Sequence, residues 1–237
     1  MRILRTDNDR FADLPDFPFV PQYIDVPDPE HGSLRMHYVD EGPQDAPVVL
    51  MLHGEPSWSF AYRHVIAAVY REGFRAVAPD HIGFGRSDKL RRRGDYSYSR
   101  FVEWMTAFIR ELDLTRITLV GQDWGGPIGL SVLAAMPDRF DAVVASNTVL
   151  PNCQPPPLGV APWPGDTIRD WVAMTANAED LPVAEIIEGV CSSPLPAAVK
   201  AAYDAPFPDV DHKAAVLQFP SLIPLQEDFP GLSLIHI

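Results

Sequence analysis

The chain is 237 residues long, 46% hydrophobic and 22% charged, which is enough apolar material for a buried core and excludes a disordered chain. Lysine plus arginine number 19 against 32 aspartates plus glutamates, and a net charge of −13 leaves no basic surplus for nucleic acid as a partner. Two cysteines make no disulfide framework, no stretch nears the ~20 apolar residues of a membrane helix, and the N-terminus lacks a signal-peptide core, so a cytoplasmic protein that binds no membrane is expected.

Proline is the outlier, at 25 residues, about twice the usual ~5%. It concentrates in an N-terminal arm from Pro15 to Pro29, in residues 151–164 and in residues 206–230. Such clusters make poor element interiors and good boundaries. Between the first two, the elements follow in order. Residues 34–39 alternate like a strand, and 48–52 form an apolar run like a strand buried on both faces. Residues 61–71 have helical spacing, and 75–78 form a strand closed by Pro79. Phe101, Trp104, Met105, Phe108 and Leu112 lie on one helical stripe. Then come a strand at 117–120, a helix at 126–135 and a strand at 142–145. This alternation predicts an α/β fold with a mostly parallel sheet and flanking helices. The expected division is a core over 1–150, a helical insertion over 151–228 and a tail over 229–237.

Ligands bind such sheets at the C-terminal ends of the strands. The strand ending at Leu52 runs into His53-Gly-Glu-Pro-Ser-Trp58, and the one ending at Val120 into Gly121-Gln-Asp-Trp-Gly-Gly126. The second segment has the spacing of a nucleophile elbow, with Asp123 where serine is usual. A carboxylate is ionised at neutral pH and can displace a leaving group from carbon directly, giving an enzyme ester that water then hydrolyses. The backbone N–H groups of Trp124 and Glu55 are the expected oxyanion hole. The alternative is that Asp123 caps the following helix; the paired glycines and the His-Gly loop favour the nucleophile.

Together with Pro79-Asp-His-Ile-Gly-Phe-Gly-Arg-Ser-Asp88, these motifs resemble those of the haloalkane dehalogenases in the α/β-hydrolase superfamily, closest to the dichloroethane-degrading subfamily. The resemblance runs from Arg10 to about Asp228. It implies an inserted helical cap, no cofactor and no metal, with a small haloalkane, water and a halide ion as the molecules handled. It also implies that halide leaves into indole N–H donors: Trp124 maps onto the first, and the second is Trp171, preferred over Trp163 because it lies on the expected first cap helix. Phe207 and Pro208 are implied pocket residues.

The resemblance further implies an acid and a base histidine, and neither is assignable. Of seven histidines, His31, His37, His53, His64 and His81 precede the elbow, His212 falls in the cap and His236 is next to last. Ser146-Asn147-Thr148 fits the branch whose acid follows the cap. The expectation is a truncated reading frame, its tail from Leu232 to Ile237 resembling adapter read-through, and a chain that is alkylated at Asp123 without turning over. Among rivals, an epoxide hydrolase needs two cap tyrosines, and residues 151–230 contain only Tyr203. A haloacetate dehalogenase needs arginines near the nucleophile, and the elbow helix has none before Arg139. A serine esterase is excluded by Asp123. A non-catalytic hydrolase-fold binding protein leaves the elbow unexplained.

Overall fold

A computed structural model describes residues 3–148 and 165–223. The proline-rich stretch 151–164, with Trp163, and the tail 229–237, with His236, lie outside the described residues. Six strands form one sheet among the described residues: β1 (Gln22–Asp28), β2 (Gly32–Glu41), β3 (Val48–Leu52), β4 (Arg75–Pro79), β5 (Ile117–Gln122) and β6 (Phe140–Ser146). Their order is β1-β2-β4-β3-β5-β6. The pairs β1–β2 and β2–β4 are antiparallel; β4–β3, β3–β5 and β5–β6 are parallel. The expected α/β fold is therefore present, with the parallel part running from β4 to β6 and the antiparallel strands β1 and β2 on the other side.

Strand β1 lies in the arm that proline marks as a boundary. It is tolerated there because it is an edge strand, where the N–H that Pro27 lacks is not needed by a second neighbour. The apolar runs of β3 and β4 are buried almost throughout, as strands covered on both faces must be. At the far edge, β6 pairs with β5 alone among the described residues, and Val143 and Val144 are exposed.

The helices are α1 (Arg63–Arg71), α2 (Tyr98–Glu111), α3 (Gly125–Ala135), α4 (Gly165–Asn177), α5 (Val183–Gly189), α6 (Ala197–Asp204) and α7 (Ala214–Gln218). Helix α1 starts two residues later than its spacing predicts, because Ser59–Tyr62 form a 3-10 turn before it. The Ser97 side chain accepts the Arg100 N–H and caps α2, whose stripe of Phe101, Trp104, Met105 and Phe108 is buried. Helix α3 is apolar on nearly every side and lies against β5, β3 and α2.

Two polar anchors hold this core. The Asp28 carboxylate, at the end of β1, accepts bonds from Arg100 Nη2 at 2.8 Å and Trp104 Nε1 at 3.0 Å, and pairs with His31 Nδ1 at 2.8 Å. Burial works against its charge, but the bonds from His31, Arg100 and Trp104 hold the carboxyl down at about 2. The second anchor is the N-terminal arm. Leu4 and Lys89 exchange backbone bonds of 2.9 Å. Further on, Thr6 Oγ1 donates to the Pro206 carbonyl at 2.7 Å and Arg10 Nε to that of Ala205 at 2.8 Å. The arm thus bridges the sheet and the helices that follow β6.

Candidate active site

The turn between β5 and α3 carries Asp123 at φ +50°, a left-handed backbone that a non-glycine residue adopts only under constraint. The constraint is visible. The Asp123 N–H donates to the Asn147 carbonyl at 3.1 Å, and the Asp123 carbonyl accepts Thr148 Oγ1–H at 2.6 Å. The end of β6 therefore holds the elbow. The small residues at its flanks are required by close approach: a Cβ on Gly125 would lie 1.9 Å from the Leu52 carbonyl oxygen, and one on Gly54 would lie 2.3 Å from Asp123 Cβ. The loop after β3 and the elbow after β5 are packed backbone to backbone.

That packing brings the Glu55 N–H 2.8 Å from Asp123 Oδ1. The Trp124 backbone N–H is the second group that favours the charge on the Asp123 carboxyl. Burial pushes the Asp123 carboxyl up from its ordinary range, and the two N–H groups pull the other way. Of the two backbone groups expected to form an oxyanion hole, that of Glu55 bonds to the carboxylate and that of Trp124 follows Asp123 directly in the turn.

The loop after β3 is fixed from below. Asp80 Oδ1 accepts the Ser59 N–H at 2.8 Å, while Oδ2 accepts the Arg86 N–H at 2.8 Å and pairs with His37 Nδ1 at 2.7 Å. Burial opposes this charge, but His37 and the backbone donors hold the Asp80 carboxyl below its usual range. His53 Nε2 accepts the His81 N–H at 3.0 Å, and the His53 carbonyl accepts His81 Nε2–H at 3.2 Å. Burial pushes both imidazoles down, and both are tied into the loop by these bonds.

A cavity of about 400 Å³ opens in front of Asp123. Its wall includes Glu55, Trp171 and Tyr203, so Asp123 and Trp171, far apart in sequence, line the same space. Trp124 is placed otherwise. Its ring packs at 5.1 Å edge-on to Phe219 and 6.2 Å from Tyr98, and it is not part of the cavity wall. Among the described residues neither indole N–H, of Trp124 or of Trp171, has a hydrogen-bond partner. Phe207 is buried beside Phe84, at 6.4 Å between ring centres, and Pro208 is exposed; neither lines the cavity. None of the described histidines lines it either.

Several wall residues carry no sequence signal. Ile186, Ile187 and Val190 come from α5 and the residue after it, and look like any amphipathic surface. Gln122 precedes Asp123 and Pro56 follows Glu55, so their motif neighbours could have flagged them. Elsewhere, Glu30, His31 and Asp95 bring possible metal-donor atoms within 4.8 Å. Asp95 pairs with Arg92 at 2.6 Å and Glu30 with Arg100 at 3.7 Å, so guanidinium groups already supply the positive charge.

A mostly parallel sheet with an acid at the strand-to-helix turn after β5, and the Glu55 N–H bonded to it, is the arrangement of an α/β hydrolase. A family model described as alpha/beta hydrolase fold matches residues 47–178. Within that fold, the chain belongs to the haloalkane dehalogenases. A protein named haloalkane dehalogenase from Psychrobacter cryohalolentis is 46% identical over 231 residues, covering 98% of this chain and 74% of the relative. One of the same name from Mycolicibacterium paratuberculosis is 42% identical, covering 98% and 75%. The tetrameric haloalkane dehalogenase DpaA from Paraglaciecola agarilytica NO2 superposes with a TM-score of 0.89 at 37% identity, covering 99% of this chain and 76% of that one.

Proposed function

We propose that the chain attacks haloalkanes through Asp123, in the first half of a hydrolytic dehalogenation that yields alcohol, halide and a proton. The observation that carries this is the Asp123 carboxylate, bonded to the Glu55 N–H and facing a cavity that also holds Trp171. A carboxylate oxygen attacks the halogen-bearing carbon from the side opposite the halogen. A carbon–oxygen bond forms, the carbon–halogen bond breaks, and its electron pair leaves with the halide. Indole N–H groups suit that ion, being donors with no acceptor of their own. Trp171 is the cavity donor, and Trp124 the second one implied by resemblance.

In the second half, water adds to the ester carbonyl carbon. The charge then gathers on the oxygen held by the N–H groups of Glu55 and Trp124. This step calls for a base to take the water's proton. No histidine among the described residues lines the cavity, and the alkyl ester is the intermediate to look for directly.

The test is mass spectrometry after exposure to a bromoalkane, with bromide titration of tryptophan fluorescence. One alkyl group on Asp123, and a bromide response weakened in Trp171→Phe, are expected. A folded chain that gains no adduct at position 123 rules the reading out. Labelling by a simple epoxide, with none by the bromoalkane, would favour the epoxide hydrolase alternative.

A further inference from the structure

Two carboxyl groups, Asp123 and Glu55, share the cavity, and their surroundings differ. Asp123 accepts the Glu55 N–H at 2.8 Å, and the Trp124 backbone N–H also favours its charge. Glu55 Oε1 is buried with no hydrogen-bond partner among the described residues. Of two acids in a poorly solvated space, the one with more donors ionises and the other keeps the proton. Burial, and after it the charge of Asp123, pushes the Glu55 carboxyl well above its ordinary range. The remaining titratable group of the wall is Tyr203, whose phenol burial holds up, with Arg63 acting against that. Tyr62, held up by burial and by the charge of Asp123, donates its hydroxyl to the Leu52 carbonyl at 2.9 Å. No lysine, arginine or histidine lines the cavity among the described residues, so nothing there favours a second negative charge.

We propose that Glu55 is itself a catalytic residue: beside an ionised Asp123 it stays a neutral acid and donates its O–H into the cavity, to the halide as it leaves carbon. The inference rests on the dehalogenase reading. No proton is transferred; Glu55 keeps its hydrogen and the halide departs as the anion. The neutral acid does two things. It supplies a donor beside the Trp171 indole, and it limits the cavity to one negative charge, so that a halide is not repelled. Loss of the Glu55 proton at high pH removes the donor and adds a repelling charge, so halide binding weakens above its titration.

The experiment combines bromide titration and infrared spectroscopy on the wild-type chain, Glu55→Gln and Glu55→Ala. A protonated-carboxyl band is expected at neutral pH in the wild type. It should shift when bromide is added and be missing from both variants. Glu55→Gln, which retains an N–H donor, should bind bromide nearly as well as the wild type and keep doing so at high pH. Glu55→Ala should bind it about tenfold or more weakly, the cost of one hydrogen bond to a charged partner. In the wild type, affinity should fall by about tenfold per pH unit once the band disappears, because binding then requires one proton. Absence of the band, a band insensitive to bromide, or full affinity in Glu55→Ala overturns the proposal. If the variants do not fold, the wild-type band and its response to bromide decide alone. A wild type that takes up neither bromide nor an alkyl group defeats the dehalogenase reading itself. One that takes up both without the band defeats only the role of Glu55.

Discussion

The backbone N–H of Glu55 lies 2.8 Å from Oδ1 of Asp123, across 68 residues of sequence. Asp123→Asn keeps an oxygen for that N–H but replaces a nucleophile by an amide. The variant is expected to fold, to take up no alkyl group, and to melt at or above the wild-type temperature, since burial opposes the charge it removes. A melting point several degrees lower would mean that the charge is needed by the fold.

The approach of the two loops sets a steric test. Gly125→Ala puts a methyl group into the Leu52 carbonyl, which is backbone and cannot swing away. A loss of about 3 kcal/mol in urea unfolding is expected. Gly94→Ala, where a Cβ meets nothing within 4 Å, should stay within about 0.5 kcal/mol. Equal effects in the two would show that the elbow has slack.

Asp28 makes stability sensitive to acid. Its folded carboxyl sits at about 2 against an ordinary 3.8, so the folded state binds fewer protons between the two values. Its contribution is complete above 3.8 and is lost as pH falls through about 2. Asp28→Ala strands Arg100 and Trp104 and should cost about 3 kcal/mol. Urea midpoints followed down the acid limb check this, and a variant with the wild-type slope would refute it.

Lys89 acts in the opposite range. It is fully buried, with Nζ donating to the carbonyls of Gly85 at 2.7 Å and Ser87 at 3.1 Å. Burial lowers it from 10.5 to about 7, against the pull of Asp80 and Asp88. The unfolded chain therefore binds more protons between these values, and stability should rise as pH rises from about 7 towards 10.5. Lys89→Met should flatten that rise, while leaving two carbonyls without their donor at a cost of about 1–3 kcal/mol. Thermal melts on either side of neutrality read both effects, and an unchanged slope counts against the assignment.

What was legible in the sequence was local. Asp123 could be found because an elbow demands small residues at fixed offsets, and Gly121 and Gly125 supply them. The buried stripe of α2 follows from its period alone. Strand β1 was hidden, since Pro27 and Pro29 read as breakers and only the pairing with β2 makes the segment a strand. The cavity wall was hidden for another reason. Tyr203 and Ile187 share the cavity wall with Asp123 only through the placement of α5 and α6, and no spacing in the chain encodes that. Phe207, chosen by resemblance, stands instead against Phe84.

The arm contacts have a temporal consequence. Thr6 and Arg10 find their partners at Pro206 and Ala205, 200 and 195 positions later in the chain. During synthesis the first ten residues emerge long before those carbonyls exist, so Leu4 can pair with Lys89 while Thr6 and Arg10 still lack their partners. Those two contacts can close only after residue 206 has left the ribosome, well after β3 and β5 have been made.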